Sequence, residues 1–412
     1  VGMMVLLPLD FGRLPYNMTP VDFWVLMGLP LFWLSFSHGK PVINLTYVIP
    51  MGIILLGSFV SIFSAPAPRN SLIVILKEGY AFAWFITLVA VLATLNAKDL
   101  HRIMVVWATM VFLHGAVIVA QFLSPEVWRF SAGLMGRLGE YERYRPSGFF
   151  YNANSAAFFQ LLGFVPLVLA SRSRKTTMFL GILLLPTMLL TGSMGATLAF
   201  MSGLTIAIIA LSLSGYLGLI IKMLIQSTVA VSLLGGLLYF IVSHNQPLQE
   251  HFNHILFGRS ERSSDGRLDL WRRGMDAFME NDVFIRGIGP ENFRVVDGRD
   301  KQLHNDFIAF SVERGLLGTL GLVLFGLLAM VRAVNMIFIR NRSPDRAGLA
   351  VVVFLAAIVA AMIESLTHQT FHFRELWIIL AFQEALIFKM TLKRSESAAS
   401  RIRPKSDYLQ SE

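Results

Sequence analysis

Apolar runs of about 18 to 25 residues recur along the chain with few charges inside them, and this length matches the hydrocarbon thickness of a bilayer. A segment in lipid must satisfy its own backbone N–H and C=O groups, which a helix does within one run. A transmembrane β-barrel would alternate apolar and polar residues over short segments, and these runs do not alternate. The sequence therefore predicts an all-α polytopic membrane protein.

We predict about twelve transmembrane helices, the first of them truncated at the stretch Val1–Leu9. The other predicted spans lie near 20–36, 42–64, 71–95, 101–123, 151–171, 176–191, 193–213, 217–242, 304–331, 349–368 and 375–390. This divides the chain into transmembrane helices over 1–242 with a short loop at 124–150, a large loop over 243–303, three transmembrane helices over 304–390 and a basic tail over 391–412, which we expect to be disordered. The large loop thus falls between the last-but-three and last-but-two helices.

The positive charges predict the orientation of these helices. The net charge is +9, but the cations sit in short loops and in the tail, which argues against nucleic-acid binding and follows the rule that cytoplasmic loops are basic. The short loops carry Lys98 and Arg102, Arg172 to Lys175, Lys222, and Arg332, Arg340, Arg342 and Arg346. We therefore expect a bacterial inner-membrane protein with a cytoplasmic C-terminus and with loops 124–150 and 243–303 in the periplasm.

Within the large loop, we predict an amphipathic helix over Gly266–Asp282 and irregular structure over Val283–Gln302. The apolar stripe of this helix would be Leu268, Trp271, Met275 and Phe278. The glycine-rich stretch Arg286 to Pro290 lacks the strand and helix that flank a nucleotide-binding loop, so it does not indicate one.

Arginines on the predicted outer face are the first candidates for chemistry. Arg143 and Arg145 precede a span, and the large loop adds Arg259, Arg262, Arg267, Arg272 and Arg273. A guanidinium is always charged and binds phosphate oxygens in two-pronged fashion, which suits a phosphorylated lipid. Contact with lipid headgroups, or ion pairs with Asp265, Asp269 and Asp276, is the alternative for any one of them. For Arg145, held by a Pro-Ser-Gly turn, we favour the functional interpretation.

His304 lies where the large loop enters the next span and is followed by Asn305 and Asp306. A neutral histidine there would accept a proton from a hydroxyl group; a helix-capping role is the alternative. We predict His244, His251 and His254 to be surface residues, because their spacing supports no metal site. No metal and no cofactor is expected.

Charged residues inside the spans are costly in lipid and usually face a cavity or one another. They are Lys77 with Glu78, Glu313 with Arg314, Glu364 and Glu384. Neighbouring opposite charges would neutralise each other locally, but Lys77 lies near the outer end of its span, where a phosphate would bind. Glu364 is followed by His368 and His372 toward the same face, and we assign Glu384 no role.

Six segments together resemble the O-antigen ligase/polymerase superfamily of bacterial membrane glycosyltransferases. They are RPSGFFYNAN (145–154), LTGSMGA (190–196), GRLDLW (266–271), GIGPENF (287–293), HND (304–306) and ERGLLG (313–318). One difference is Met194, since many relatives carry arginine in that turn.

The resemblance implies a GT-C type transferase that acts at the periplasmic face in lipopolysaccharide maturation. Its donor would be a glycan on undecaprenyl diphosphate and its acceptor a sugar hydroxyl of lipid A–core oligosaccharide. His304 would be the catalytic histidine, and Arg145 and Arg267, with Lys77, would bind the donor diphosphate. Supporting positions would be Asn154, Trp271, Asn292, Asn305, Glu313 and Arg314.

A lipid diphosphate is a good leaving group, so the chemistry needs cations that stabilise the departing charge and a group that orients the acceptor hydroxyl. We expect a single, metal-independent displacement that inverts the anomeric carbon. An O-antigen polymerase or a protein O-oligosaccharyltransferase with the same donor is the main alternative. A flippase or secondary transporter is the alternative from another class, although transporters usually show two pseudo-symmetric halves, which this chain lacks.

Overall fold

The computed structural model describes residues 44–134, 145–150, 152–171, 173–213, 242–256, 260–298, 301–339 and 346–402, with isolated positions between 218 and 240. In chain order the helices are α1 (Val48–Ser61), α2 (Pro68–Thr94), α3 (Ala97–Leu123), α4 (Pro125–Leu134), α5 (Ala153–Leu162), α6 (Phe164–Ala170), α7 (Arg174–Leu190), α8 (Met194–Leu213), α9 (Gln246–Leu256), α10 (Ser260–Phe278), α11 (Asn281–Arg286), α12 (Phe293–Val296), α13 (Asp306–Ile339), α14 (Arg346–Glu364) and α15 (Arg374–Ile402). A short 3-10 helix, Ile62–Ser64, follows α1. The described part of the chain is thus helical, as the apolar runs predict.

Among the residues that the structure describes, five helical stretches are long and apolar enough to cross a membrane: α2, α3, α5 with α6, α8 and α13. Shorter apolar helices coincide with α1, α7 and α14. The predicted span 20–36, the stretch Val1–Leu9 and most of the span 217–242 lie outside the described residues, as do Arg143 and Arg259. The number of spans therefore stays a prediction.

The C-terminal segment differs from the predicted tail. Helix α15 continues past residue 390 to Ile402. No glycine or proline interrupts residues 391–402, and the described helix ends two residues before Pro404. The prediction of a disordered tail from residue 391 was therefore wrong as far as Ile402.

The loop also differs from its predicted pattern. Its amphipathic helix is α10, which ends at Phe278, and the segment predicted to be irregular contains α11 and α12. The predicted stripe was partly wrong, because Leu268 is 58% exposed and Met275 41% exposed, whereas Leu270 is buried. Gly274 explains this difference. A Cβ atom on Gly274 would meet Leu303 and Ile308, so the face of α10 that contains this glycine packs closely against residues at the start of α13.

Helices α1 and α13 cross at very close range. A Cβ atom on Gly57 would meet the backbone of Gly318, and one on Gly321 would meet Ile54. Lipid tails provide no hydrophobic force that drives helices together. Helices in lipid therefore associate through close van der Waals contact, which small residues allow. The crossing fixes the position of α13, the helix that follows His304.

Helix α13 is broken at Gly315, whose φ of 62° and ψ of −161° lie outside the helical region. The glycine-rich stretch of the loop pairs with this break: the amide of Ile288 donates to the carbonyl of Val312 at 3.0 Å, and that of Gly289 to Glu313 at 2.8 Å. A Cβ atom on Gly287 would meet the Glu313 backbone. The glycines thus let the loop backbone join the first arm of α13, residues 306–314.

A small apolar cluster completes this junction. It buries Leu270, Ile288, Phe293, Leu303, Ala309 and Val312. These side chains come from α10, from the glycine-rich stretch, from α12 and from the first arm of α13. The loop and this arm therefore form one packed unit, which carries both Arg267 and His304.

Candidate active site

His304 adopts a backbone conformation that histidine rarely takes. Its φ is +50°, and Glu291 is the only other non-glycine residue with a positive φ in the part of the chain that the structure describes. Such a conformation costs on the order of 1–3 kcal/mol and persists where the surroundings impose it. Here the neighbours impose it: Leu303 is buried and its carbonyl accepts a hydrogen bond from Trp271 Nε1 at 2.9 Å. The predicted supporting residue Trp271 thus holds the residue before His304.

Asn305 and Asp306 anchor the other side of His304. Asn305 caps α13, because its Oδ1 accepts the amide of Ile308 at 3.0 Å, and its Nδ2 donates to the carbonyl of Leu366 at 2.9 Å. Asp306 Oδ2 accepts the amides of Thr370 at 2.8 Å and Phe371 at 3.1 Å. The capping role considered for His304 therefore belongs to Asn305.

These bonds bring the connection between α14 and α15, residues 365–373, next to His304. The ring centroids of His304 and His368 lie 5.5 Å apart. Asn152 Nδ2 lies 3.5 Å from His368 Nε2. Trp377 Nε1 donates to the carbonyl of Phe371 at 3.0 Å and so fixes the end of this connection. His368 is a neighbour of His304 to which the sequence analysis assigned no role.

Both histidines of this pair are held in the neutral form. Burial lowers the pKa of His304 to about 4, and the positive charge of Arg267 lowers it further. Burial, followed by the charges of His304, Arg267 and Arg145, lowers the pKa of His368 to about 3. His304 Nδ1 is buried and has no hydrogen-bond partner among the described residues. A neutral imidazole of this kind accepts a hydrogen bond from a hydroxyl group at pH 7.

Arg145 is held by two oxygen atoms from different parts of the chain. Its Nε donates to the carbonyl of Thr191 at 2.7 Å, and its Nη2 donates to Asn154 Oδ1 at 3.0 Å. Asn154 supports this arginine as predicted from its place in the motif. The Thr191–Gly195 turn, in which Met194 is exposed, contributes a backbone carbonyl here.

The turn after Arg145 rests on buried polar side chains of α3 that the sequence analysis missed. Gln121 Oε1 accepts the amides of Ser147 and Gly148, both at 2.9 Å, and Gln121 Nε2 donates to the carbonyl of Gly148 at 2.8 Å. His114 Nε2 donates to the carbonyl of Ser147 at 3.2 Å, since its Nδ1 accepts from Gln160. His114 and Gln121 are polar residues seven positions apart in an apolar span, and this pattern was the sequence signal for a buried polar contact.

Arg267 projects from α10 toward the same place. Its charge acts on His304, His368 and Glu364, and the charge of Arg145 acts on His368 and Glu364. None of the described residues accepts a hydrogen bond from Arg267. The structure thus brings together Arg145, Arg267 and His304, which are far apart in the sequence.

A second buried charge cluster lies elsewhere in the bundle. Arg314 Nη2 and Glu78 Oε1 are 2.5 Å apart, and His372 Nε2 donates to the same carboxylate oxygen at 3.0 Å. Burial lowers the pKa of His372, but its hydrogen bond to Glu78 and the charge of Glu78 raise it above the ordinary value overall. The sequence analysis considered ion pairs between sequence neighbours such as Glu313 and Arg314. These two side chains do lie 3.6 Å apart, but Arg314 lies closer to Glu78, on another helix.

Three further residues were singled out in the sequence. Lys77 is half-buried on α2. Asn292 joins the loop to α2: it accepts the amide of Ala67 at 2.8 Å and donates to Ser71 at 2.8 Å. Glu384, which had no predicted role, pairs with Arg332 inside the bundle.

The family model of the O-antigen ligase matches residues 179–323. This range contains the Thr191–Gly195 turn, the loop with Arg267, and His304, whereas Arg145 and the 365–373 connection lie outside it. No curated protein matches the chain. The match confirms the resemblance indicated by the sequence motifs and supports a glycosyltransferase of the ligase or polymerase type.

Proposed function

We propose that this chain, which carries an O-antigen ligase family domain, transfers a glycan from undecaprenyl diphosphate to a sugar hydroxyl of lipid A–core oligosaccharide. The observation that supports this most directly is the meeting of Arg145 and Arg267 beside the neutral imidazole of His304. Two cations next to a hydroxyl acceptor suit a reaction in which a diphosphate leaves while a hydroxyl group attacks.

The arginines act on the donor. Negative charge develops on the departing diphosphate, and fixed guanidinium groups stabilise it without reorganising at the moment of reaction. Arg145 is preorganised by Thr191 and Asn154. Arg267 would bind the diphosphate from α10. Lys77 is proposed as a third cation at the diphosphate, and the arginines make the transfer metal-independent.

His304 acts on the acceptor. Its neutral ring accepts a hydrogen bond from the attacking hydroxyl and aligns the oxygen with the anomeric carbon, opposite the diphosphate. The low pKa makes the ring a weak base, so orientation is its main contribution. The hydroxyl proton passes to the ring nitrogen as the new glycosidic bond forms and the bond to the diphosphate breaks. This single displacement inverts the anomeric configuration.

We propose that the site faces the periplasm at the inner membrane and that the C-terminus is cytoplasmic. The basic short loops support this orientation, because cytoplasmic loops carry the excess of lysine and arginine. The loop with α10 to α12 and the first arm of α13 would then stand at the outer surface, where both lipid-linked substrates are available.

The decisive experiment is transfer by the purified protein in proteoliposomes with undecaprenyl-diphosphate-linked glycan and lipid A–core oligosaccharide. We expect lipid A–core to shift to higher mass on a gel with the wild type and with His244→Ala, an exposed histidine, but not with His304→Ala. Elongation of the lipid-linked glycan without lipid A–core would favour a polymerase, and transfer to a protein would favour an oligosaccharyltransferase. Movement of intact donor across the bilayer without transfer would contradict the proposal.

A further inference from the structure

Gln160, on α5, is a buried polar residue that the mechanism above does not use. Its Nε2 donates to the carbonyl of Val111 at 3.1 Å and to His114 Nδ1 at 2.8 Å, and both of these residues lie on α3. Its Oε1 lies 3.3 Å from the hydroxyl oxygen of Thr187 on α7. A Cβ atom on Gly115 of α3 would lie 3.1 Å from Thr187, so α7 packs closely on α3 here. One amide group thus joins three helices, and such polar contacts hold helices together in lipid.

The same three helices hold Arg145. Helix α5 supplies Asn154, whose side chain accepts from Nη2 of the arginine at 3.0 Å. The residue directly after α7 is Thr191, whose carbonyl accepts from Nε at 2.7 Å. Helix α3 supplies Gln121, which holds the turn that follows the arginine. The position of the guanidinium group therefore depends on the spacing of α3, α5 and α7, which Gln160 joins.

Gln160 also fixes the tautomer of His114. A carbonyl only accepts hydrogen bonds, so the Gln160 atom beside Val111 is the amide nitrogen, and its second hydrogen points to His114 Nδ1. Nδ1 therefore carries no proton, and the proton of the neutral ring is on Nε2, which donates to the carbonyl of Ser147 at 3.2 Å. In the other tautomer, the lone pair of Nε2 would face this carbonyl oxygen. The turn that follows Arg145 thus depends on the glutamine.

We infer that Gln160 is a positioning residue for Arg145: it locks α3, α5 and α7 at the spacing in which the guanidinium group meets the donor diphosphate. This inference rests on the proposed function, in which Arg145 binds that diphosphate. Gln160 is fully buried and lies six positions along α5 from Asn154, so it acts from about 9 Å away and does not touch the substrate. We therefore expect it to affect binding of the donor diphosphate and to leave binding of the acceptor unchanged.

The test compares Gln160→Met with the wild type, because methionine keeps the unbranched shape of glutamine and removes its hydrogen bonds. The probe is undecaprenyl diphosphate, titrated onto the full-length protein in nanodiscs. We expect the Kd to rise about tenfold, the order of one lost hydrogen bond to a charged group. The KM for lipid A–core oligosaccharide in the transfer assay should stay within about twofold of the wild type, because the acceptor does not contact Arg145.

The variant Arg145→Lys shows whether Gln160 acts through Arg145. In this background Gln160→Met should change the Kd by less than about twofold, because the planar fork that the glutamine positions is already absent and effects on one shared group do not add. A rise as large as in the wild-type background would overturn the inference, since Gln160 would then act on another part of the protein.

Gln383→Met is the matched control, because Gln383 is an equally buried glutamine on α15, where its Nε2 donates to the carbonyl of Ala329. It should leave the Kd for undecaprenyl diphosphate unchanged. If Gln160→Met does not fold, Thr187→Val replaces it, since valine has the shape of threonine without the hydroxyl group that faces Gln160, and the Kd should rise by a smaller factor. An unchanged Kd in the variant that folds, or an equal rise with Gln383→Met, would overturn the inference. A wild type that does not bind the probe at all would instead overturn the proposed function.

Discussion

Arg314 and Glu78 form an ion pair of 2.5 Å between α13 and α2, and each side chain is 1% exposed. Arg314 also donates to Ser58 Oγ at 3.0 Å, and its guanidinium carbon lies 3.9 Å from the centre of the Phe310 ring. The pair thus joins three helices immediately before the break at Gly315. This position gives the pair a structural role, because the pair fixes the first arm of α13, which directly follows the His304 turn.

We expect Glu78→Gln to destabilise the protein by about 3–5 kcal/mol, because it leaves the Arg314 charge buried without its partner. The double variant Glu78→Leu with Arg314→Met should recover most of this loss, since both charges disappear and the packing volume remains. The measurement is thermal unfolding of the purified protein. Asp99→Asn, at the exposed pair of Asp99 and Arg102, should leave the melting temperature unchanged. A double variant as unstable as the single one would contradict a pair that acts mainly by mutual neutralisation.

Arg145→Lys and Arg267→Lys should each lose most of the transfer activity while the protein still inserts into the membrane. Lysine keeps the charge but offers no planar fork for two phosphate oxygens, and at position 145 a single nitrogen would replace the two that bond Thr191 and Asn154. Arg273→Lys is the control on the same helix as Arg267, because Arg273 pairs with Asp269 and Asp297. Transfer at the wild-type rate by both lysine variants would show that the two arginines are structural.

His304→Ala should abolish detectable ligation but retain binding of undecaprenyl diphosphate at near-normal affinity. The reason is the proposed division of labour, in which the histidine contacts the acceptor and the arginines contact the diphosphate. Removing a group that orients or deprotonates the attacking hydroxyl typically costs about 10²–10⁴-fold in rate. Arg267→Ala should fail the same binding test. A loss of donor affinity as severe in His304→Ala as in Arg267→Ala would place His304 in the diphosphate site.

We expect kcat to fall on the acid side of the pH–rate profile only near pH 4. Only the neutral ring of His304 accepts the hydroxyl proton, and its lowered pKa keeps it neutral until the pH falls to about 4. An exposed histidine would lose activity around its ordinary pKa of about 6.5. We therefore expect nearly constant kcat between pH 8 and pH 5.5 in reconstituted vesicles. A limb centred near pH 6.5 would mean that the burial and the charge of Arg267 do not act on His304 as described.

The predicted orientation can be tested by labelling single cysteines, because the chain has no native cysteine. Met279→Cys, at a 70% exposed position after α10, should react with an impermeant thiol reagent in intact spheroplasts. Ser395→Cys, exposed near the end of α15, should react only after lysis. The opposite pattern would invert the topology.

The length of the apolar runs was enough to predict most of the described helices. A single uncharged run in lipid can satisfy its backbone N–H and C=O groups by itself only as a helix. It could not predict the break of α13, since hydropathy is the same on both sides of Gly315. Nor could it predict the buried face of α10, where the contact of Gly274 with Leu303 and Ile308 outweighs the amphipathic stripe. Only residues distant in sequence supply these contacts.

The sequence singled out Arg145, Arg267 and His304, which the structure brings together, but not the groups that hold them in place. Arg145, Arg267 and His304 stand out because charged and titratable groups in recognisable motifs flank the spans. The groups that position them, such as the carbonyl of Thr191 and the side chain of Gln121, are backbone atoms or isolated polar residues that carry no motif.

The break at Gly315 marks a boundary for chimeras in which the large loop is exchanged between related proteins. Since the glycine-rich stretch bonds to Val312 and Glu313, the loop and residues 306–314 form a single unit that ends at this glycine. A chimera that swaps only residues 243–303 would separate the loop amides from their carbonyl partners. A chimera joined after Gly315 would carry the whole unit, including the His304 turn, and would also need the partners of Asn292 and Arg314 on α2, which are Ser71 and Glu78.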